Sequence, residues 1–392
     1  MIKAVLLDLD NTLLDNPQDV FVVEYLRAVD QYFAEHWQMS VSGALVKSTR
    51  IVLAARDAQQ TNTSVVVDVL AKELQRPPKT IMELFEGFYQ ESYPALQQHS
   101  RPVAWAAELI QHLREEYFAV VIATNPLYPA EAIRQRLAWA GLPDTLEYYA
   151  LVTHGDNMHF AKPDPAYYAE ILARVGVEPD EALMVGDSLE SDIEPAALVG
   201  LHTYHLKTSA DGEGAGTLAD FYALSIEDNW TNHFPARRLM PAMIEPEMRG
   251  NLGALFGMLS QVKDHYWHQH PDRDEWSIMQ IICHLLESEQ TVQRPRLQRI
   301  LQEDNPFLTA PRRPAGADAV PCADEGYQVA RAFVAERQTT MQFLRALQHE
   351  DWMRPARHSI FGPTTLLEMA HFTAQHDRLH LKQLCRTLGK CE

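Results

Sequence analysis

Short apolar runs alternate with helical patterns through the first two-thirds of the chain. Lys3–Leu9, Ala119–Thr124, Ala182–Val185 and Thr203–Leu206 read as short buried strands, the first three rich in Val, Ile or Leu. Between them Ala104–Glu116, Ala130–Ala140, Ala166–Val175 and Ile193–Val199 carry apolar residues at helical spacing. Strand–helix–strand alternation predicts a doubly wound α/β fold, a parallel sheet with helices on both faces. Such sheets bind ligands beyond the carboxyl ends of their strands.

One segment interrupts the alternation. Residues 17–98 hold no strand pair but several helical patterns, among them Val20–His36 and Thr80–Tyr93. This is either a helical insertion packed on the core or a mobile cap that excludes water during chemistry. Around Asp228–Gly250 the pattern breaks at Pro235, Pro241 and Pro246, as expected of a linker. Beyond it no strand is predicted. Helical patterns run through Pro246–His268, Ser277–Glu303, Gly326–Leu347 and Thr365–Leu388, with a Pro-rich loop at Asn305–Pro321. Four such helices predict an all-α four-helix bundle. Ser277 reads as an N-cap and Gly389 as a stop. The predicted organisation is an α/β core of residues 1–16 and 99–230, a helical segment 17–98, a linker 231–245, and a bundle 246–392.

Composition narrows the function class. At 392 residues the chain exceeds what one core usually supports, and its 46% apolar content is ordinary for a globular protein. The net charge of −19 repels polyphosphate backbones, so nucleic acid is not an expected partner. An anionic small molecule stays compatible, because a metal and a few cations reverse the field inside one cleft. No apolar run reaches the roughly 18 residues of a membrane span, and no secretory signal is apparent. Cys283, Cys322, Cys385 and Cys391 are scattered and form no disulfide framework, which favours a reducing cytoplasm.

Candidate chemistry starts at the first strand. Leu7-Asp8-Leu9-Asp10-Asn11-Thr12-Leu13 sets two carboxylates at i and i+2 where the strand ends, both pointing toward the crevice. One carboxylate there can attack phosphorus, and the other can protonate a leaving oxygen and later activate water. Acids at strand ends also cap helices, and Asp10 before Asn11-Thr12 fits that role too. Three further segments bear on the choice. Ile122-Ala123-Thr124-Asn125 ends a strand with a hydroxyl suited to a phosphate oxygen. Ala161-Lys162-Pro163-Asp164-Pro165 supplies an ammonium in a stiff turn, able to meet both nucleophile and phosphoryl group. Val185-Gly186-Asp187-Ser188-Leu189-Glu190-Ser191-Asp192 adds acids whose hard oxygens suit Mg²⁺.

In order and spacing these four segments resemble the motifs of the haloacid dehalogenase-like (HAD) superfamily, over about residues 1–225, with 17–98 at the position of that family's helical cap. The resemblance implies a Mg²⁺-dependent phosphatase acting on a small phosphorylated metabolite through an aspartyl-phosphate. Asp8 would be the nucleophile, and Asp10 the general acid/base that also lends a backbone carbonyl to the metal. Thr124, Asn125 and Lys162 would hold the phosphate, Asp187 would bind Mg²⁺, and Asp192 would support the metal shell. Dehalogenases of the family lack the second acid, so Asp10 favours phosphate chemistry.

The bundle carries a second set. His376 and His380 are four apart on the last predicted helix, hence on one face, and His284 lies on an otherwise apolar helix. Three imidazoles from two helices can share a metal, although with 17 histidines in the chain such pairs also arise by chance. Trp276-Ser277, the central His284, Asp351-Trp352, Gly362-Pro363-Thr364-Thr365-Leu366 and the final His376-Asp377-x-x-His380 together resemble the DinB-like four-helix family, over about residues 245–390. That resemblance implies Zn²⁺ or Ni²⁺ held by His284, His376 and His380, with His371 left to packing or surface. Three roles stay open for this domain: a thiol-dependent transferase, a metal or metabolite sensor, or a module that joins two chains in a homodimer.

Overall fold

The computed structural model describes all residues except 55–56, 208–212, 236, 273–274, 311–324 and 392. The described residues group into two compact units, Met1–Arg237 and Arg238–Glu392.

The first unit is built on a parallel sheet of five strands in the order β5-β4-β1-β6-β7. The strands are β1 (Ala4–Leu7), β4 (Ala119–Ile122), β5 (Leu151–Val152), β6 (Ala182–Gly186) and β7 (His202–His205). Val5, Leu6 and Leu7 are fully buried, as a central strand covered on both faces requires. Leu7 registers with Ile122 on one side and Val185 on the other. The residues that follow each strand therefore emerge along one edge, where the acids and Thr124 lie. Helices α5 (Ala106–Glu115), α6 (Ala130–Trp139), α7 (Pro165–Val175), α8 (Glu194–Val199) and α9 (Leu218–Ser225) complete the doubly wound layer. The two-residue β5 was not expected, being too short to leave a periodic signal.

Between β1 and α5 the chain inserts four helices, α1 (Gln18–Trp37), α2 (Ser42–Ala54), α3 (Asn62–Leu74) and α4 (Pro78–Glu91). Thr61 caps α3 by accepting from Ser64 N, and Pro78 opens α4 where its missing N–H costs nothing. The insertion leaves and returns through a small antiparallel pair, β2 (Leu14–Asp15) and β3 (Arg101–Pro102). Its core is aromatic: Phe21, Tyr25, Phe33, Phe88 and Tyr93 are buried and meet largely edge to face.

The second unit is a four-helix bundle. Its helices are α10 (Pro241–Leu259), α11 (Ile278–Ser288) continued through a π turn into α12 (Arg294–Gln302), α13 (Gly326–Arg345) and α14 (Leu366–Cys391). Ser277 caps α11 in a reciprocal box with Gln280, as its position predicted. Helix α14 passes beyond Gly389, which does not stop it. Helix α10 starts inside the expected linker: Pro241 sits in its first turn and Pro246 close behind, where few backbone hydrogen bonds are lost. The expectation that strands end with the first domain is also corrected. A three-stranded sheet, β10-β9-β8, joins Phe307–Leu308, Pro355–His358 and Gly362–Thr365. Two of these short strands contain a proline, which hid them from the sequence pattern. Most of the Pro-rich loop, with Cys322, lies outside the described residues. Cys283 is disulfide-bonded, a pairing that scattered spacing does not reveal, and Cys385 is an exposed free thiol. Among the described residues, no helix is long and apolar enough to cross a membrane.

Candidate active site and metal centres

Asp8 continues the β1 ladder, its N–H donating to the Val185 carbonyl at 3.0 Å, so its side chain is held at the sheet edge. Lys162 arrives from the turn before α7, a helix capped by Asp164 accepting from Ala166 N. Its ammonium is buried, 2.7 Å from Asp8 Oδ1 and 2.5 Å from Asp192 Oδ1. The other Asp192 oxygen accepts from Ser188 N at 3.1 Å, and the Tyr168 hydroxyl lies 3.5 Å from Asp192 Oδ1. Gly186 lets Asp192 approach: a Cβ there would collide with Asp192 Oδ2.

Asp187 completes the cluster. One carboxylate oxygen each from Asp8, Asp187 and Asp192 lies within 4.8 Å of the others. Burial pushes the Asp8 carboxyl well above its ordinary value, with Lys162 opposing and Asp192 and Asp187 adding. Burial, then Asp192, also raises Asp187 to about 6. Burial disfavours the Lys162 ammonium, but Asp192 and Asp8 outweigh it and hold its pKa well above the ordinary value. Three crowded acids with one shared lysine leave excess negative charge, and their hard oxygens are the donor set that Mg²⁺ takes. The residues fit that ion.

Thr124 is buried at the end of β4, its carbonyl fixed by the Thr153 and Tyr167 hydroxyls at 2.7 and 2.8 Å. Asn125 follows with its Oδ1 buried and without a hydrogen-bond partner. The carboxylate of Asp10 does not join the acid cluster. Its Oδ1 accepts from Asn16 Nδ2 at 2.7 Å and its Oδ2 from Arg136 Nη1 at 2.8 Å. Arg136 also donates through Nε to the Tyr93 hydroxyl at 2.9 Å and lies 4.1 Å over the Tyr128 ring. Sequence reasoning missed Arg136, Asn16 and Tyr128. In α6, Arg136 looks like one more surface charge between Arg134 and Leu137; only the fold shows that it is buried.

The helical insertion and the loop after Thr124 enclose a cavity of about 740 Å³ whose wall includes Tyr25, Leu45, Leu70, Phe85, Tyr89 and Tyr128. Arg50 also lines this cavity, whereas Glu24 and Arg27 pair with each other at 2.6 Å.

In the second unit His284, His376 and His380 each offer a ring nitrogen within 4.8 Å of the others. Burial drives His376 down to about 2, with His380 and His284 adding. Burial, then His284, takes His380 to about 4, and burial lowers His284. All three are therefore neutral at physiological pH and able to ligate. His376 Nδ1 is buried with no hydrogen-bond partner, and His380 Nδ1 meets Gln383 Oε1 at 3.0 Å, a contact that orients the ring. Three neutral imidazoles fit Zn²⁺ or Ni²⁺. His371 stands apart from them, its Nδ1 3.0 Å from Glu247 Oε2.

The model of haloacid dehalogenase-like hydrolases matches residues 2–200, and that of the DinB superfamily matches 248–384. A phosphoglycolate phosphatase of Vibrio vulnificus is 30% identical over 207 residues, which cover 52% of this chain and 83% of that protein. A phosphoserine phosphatase of Thermus thermophilus is 27% identical over 227 residues, covering 51% and 86%. Among solved structures, YfiT from Bacillus subtilis, with an unusual four-helix bundle topology, aligns at 17% identity and a TM-score of 0.32, covering 40% of this chain and 93% of that one. The chain belongs to the haloacid dehalogenase-like hydrolases and carries a DinB-superfamily domain behind its hydrolase domain.

Proposed function

We propose that the first unit is a Mg²⁺-dependent phosphomonoesterase acting on a small phosphorylated metabolite. One observation carries this reading: a buried lysine held between Asp8 and Asp192, with Asp187 beside them. Asp8 Oδ attacks phosphorus, the phosphorus–oxygen bond to the alcohol breaks, and Asp10 gives its proton to the departing oxygen. Asp10 then takes a proton from water, whose oxygen attacks the aspartyl-phosphate, freeing phosphate and the Asp8 carboxylate. Lys162, Thr124 and Asn125 hold the phosphoryl oxygens throughout. Asp8, Asp187 and the Asp10 backbone carbonyl would hold Mg²⁺, with Asp192 supporting them. When bound, the ion neutralises charge on the transferring phosphoryl group. Residues 17–98 act as the cap over a core of 1–16 and 99–230, and the bundle begins with α10 at Pro241.

The second unit is read as a separate transition-metal centre at His284, His376 and His380. The trio of imidazoles, His380 buried and His284 and His376 half-buried, with burial lowering all three, supports it. The two centres differ in ligand hardness and so select different ions.

The test is phosphate release from a panel of monoesters, with Mg²⁺ and with EDTA, by native protein and by Asp8→Asn. The amide keeps the shape of the side chain but cannot form the acyl phosphate, so a folded variant should release none. Substantial turnover by folded Asp8→Asn would sink the mechanism.

A further inference from the structure

We propose that the alcohol portion of the substrate is bulky and apolar, and that it occupies the cavity between α1–α4 and the loop after Thr124. The inference rests on the phosphomonoesterase reading and adds the leaving group to it. Size is the first reason. A cavity of about 740 Å³ falls in the range of sites that bury whole organic ligands, and a two- or three-carbon acid would fill little of it.

The lining is the second reason. Leu26, Leu45, Val66, Leu70 and Phe85 present hydrocarbon. Tyr25 and Tyr89 line it as well, but their hydroxyls bond each other at 2.9 Å, so the rings face a ligand without asking for a polar partner. Of the charged side chains on the wall, Arg134 pairs with Glu131 at 3.2 Å, Asp156 accepts from the Thr63 hydroxyl and from Ala130 N, both at 2.7 Å, and Arg50 and Glu86 are exposed, which leaves the hydrocarbon residues as the body of the lining. Val46 and Met82, also on the wall, keep 39% and 47% of their surface exposed, and an apolar occupant would cover them.

Continuity with the chemistry is the third. Asn125, the expected phosphate contact, is followed by Pro126, and then Leu127 and Tyr128 already stand in the cavity wall. Three residues span about 10 Å at most, so this part of the wall lies within one small molecule's length of Asn125. Tyr128 also carries the guanidinium of Arg136, which donates to Asp10, the acid that would protonate the departing oxygen. An alcohol leaving toward Asp10 thus departs beside this cavity.

The experiment measures kcat/KM for ethyl, butyl, hexyl and octyl phosphate by released phosphate. Each methylene buried should raise kcat/KM roughly fourfold until the cavity is filled, so octyl phosphate should exceed ethyl phosphate at least tenfold. Val46→Trp and Met82→Trp add bulk at partly exposed positions of the wall. Each should lower the octyl rate at least tenfold more than the ethyl rate. Val23→Trp, on the 53% exposed flank of α1 and off the wall, should leave the octyl-to-ethyl ratio as it is. Equal rates along the series, or wall variants that lower both ends alike, would overturn the apolar leaving group and leave the phosphatase reading standing. Failure to hydrolyse any ester, 4-nitrophenyl phosphate included, would overturn both.

Discussion

Replacing Arg136 by Met tests the least visible part of the site. The substitution keeps an apolar stem against Phe21 and Tyr128 but removes the charge that meets Asp10 at 2.8 Å and the donor to Tyr93 at 2.9 Å. Removing one partner of a fully buried pair costs about 3–5 kcal/mol. Here the Arg136 side chain is 1% exposed but that of Asp10 keeps 17%, and Asn16 still donates to it, so the low end applies. About 3 kcal/mol in a unit of this size lowers Tm by roughly 6–12 °C. Loss of the group that aims Asp10 should also reduce kcat about tenfold with KM little changed, part of what general acid–base catalysis supplies. The decisive assay is a double-mutant cycle with Asp10→Asn, read by both unfolding and kcat. Removing the second charge should restore some of the loss, giving a coupling of about 1–2 kcal/mol. Strict additivity, within about 0.5 kcal/mol, would show that the pair fixes neither the fold nor the acid.

Burial raises Asp187 to about 6, and a proton there competes with Mg²⁺. The half-saturating Mg²⁺ concentration in activity titrations should therefore climb toward tenfold per pH unit below 6, and Asp187→Ala should raise it while flattening that dependence. Because this folded pKa lies above the unfolded value, Asp187 favours the folded state fully below about pH 4 and loses that contribution as pH rises through 6. Metal-free protein should accordingly gain more from added Mg²⁺ at pH 7 than at pH 5 in thermal unfolding. Gly186→Ala drives a methyl against the Asp192 carboxylate and should destabilise the first unit by about 1–3 kcal/mol, visible in denaturant unfolding. Elemental analysis of the full chain should find one Zn²⁺ or Ni²⁺ that His376→Ala fails to retain; equal metal in both would mean that the histidines are structural. At a thousandfold excess over Kd the ion should stabilise the native unit by about 4 kcal/mol, measured by unfolding with and without metal.

Strands β1, β4 and β6 were legible because each is a short apolar run buried on both faces, and chemistry clusters where such runs end; β7, His-Thr-Tyr-His, is an edge strand that alternates buried and half-buried positions. The acids and Lys162 were legible for the same reason: their neighbours in sequence fix which edge they occupy. The histidine trio could be read because helical spacing alone brings His376 beside His380. Arg136 could not. Its partner Asp10 lies 126 positions away, and its helix shows the ordinary alternation of charge and hydrocarbon. The same holds for the cavity, whose walls come from five helices and two loops, so no local window contains it. The small sheet of the second unit was hidden by Pro355 and Pro363, which argue against strands wherever the pairing partner is unknown.

The two crossings between the inserted helices and the sheet run side by side, with Leu14 opposite Pro102 and Asp15 opposite Arg101. Paired connections of this kind restrict any movement of the inserted helices to a swing about the pair, like the leaves of a door hinge. Asn16 sits at the pivot, fully buried, giving one hydrogen bond to Asp10 and taking another from the Ser100 hydroxyl at 2.9 Å. A swing that parted Ser100 from Asn16 would loosen the carboxamide, and with it one of the two side-chain donors on Asp10. The angle of the door would then reach Asp10 through three side chains, without any contact from the substrate.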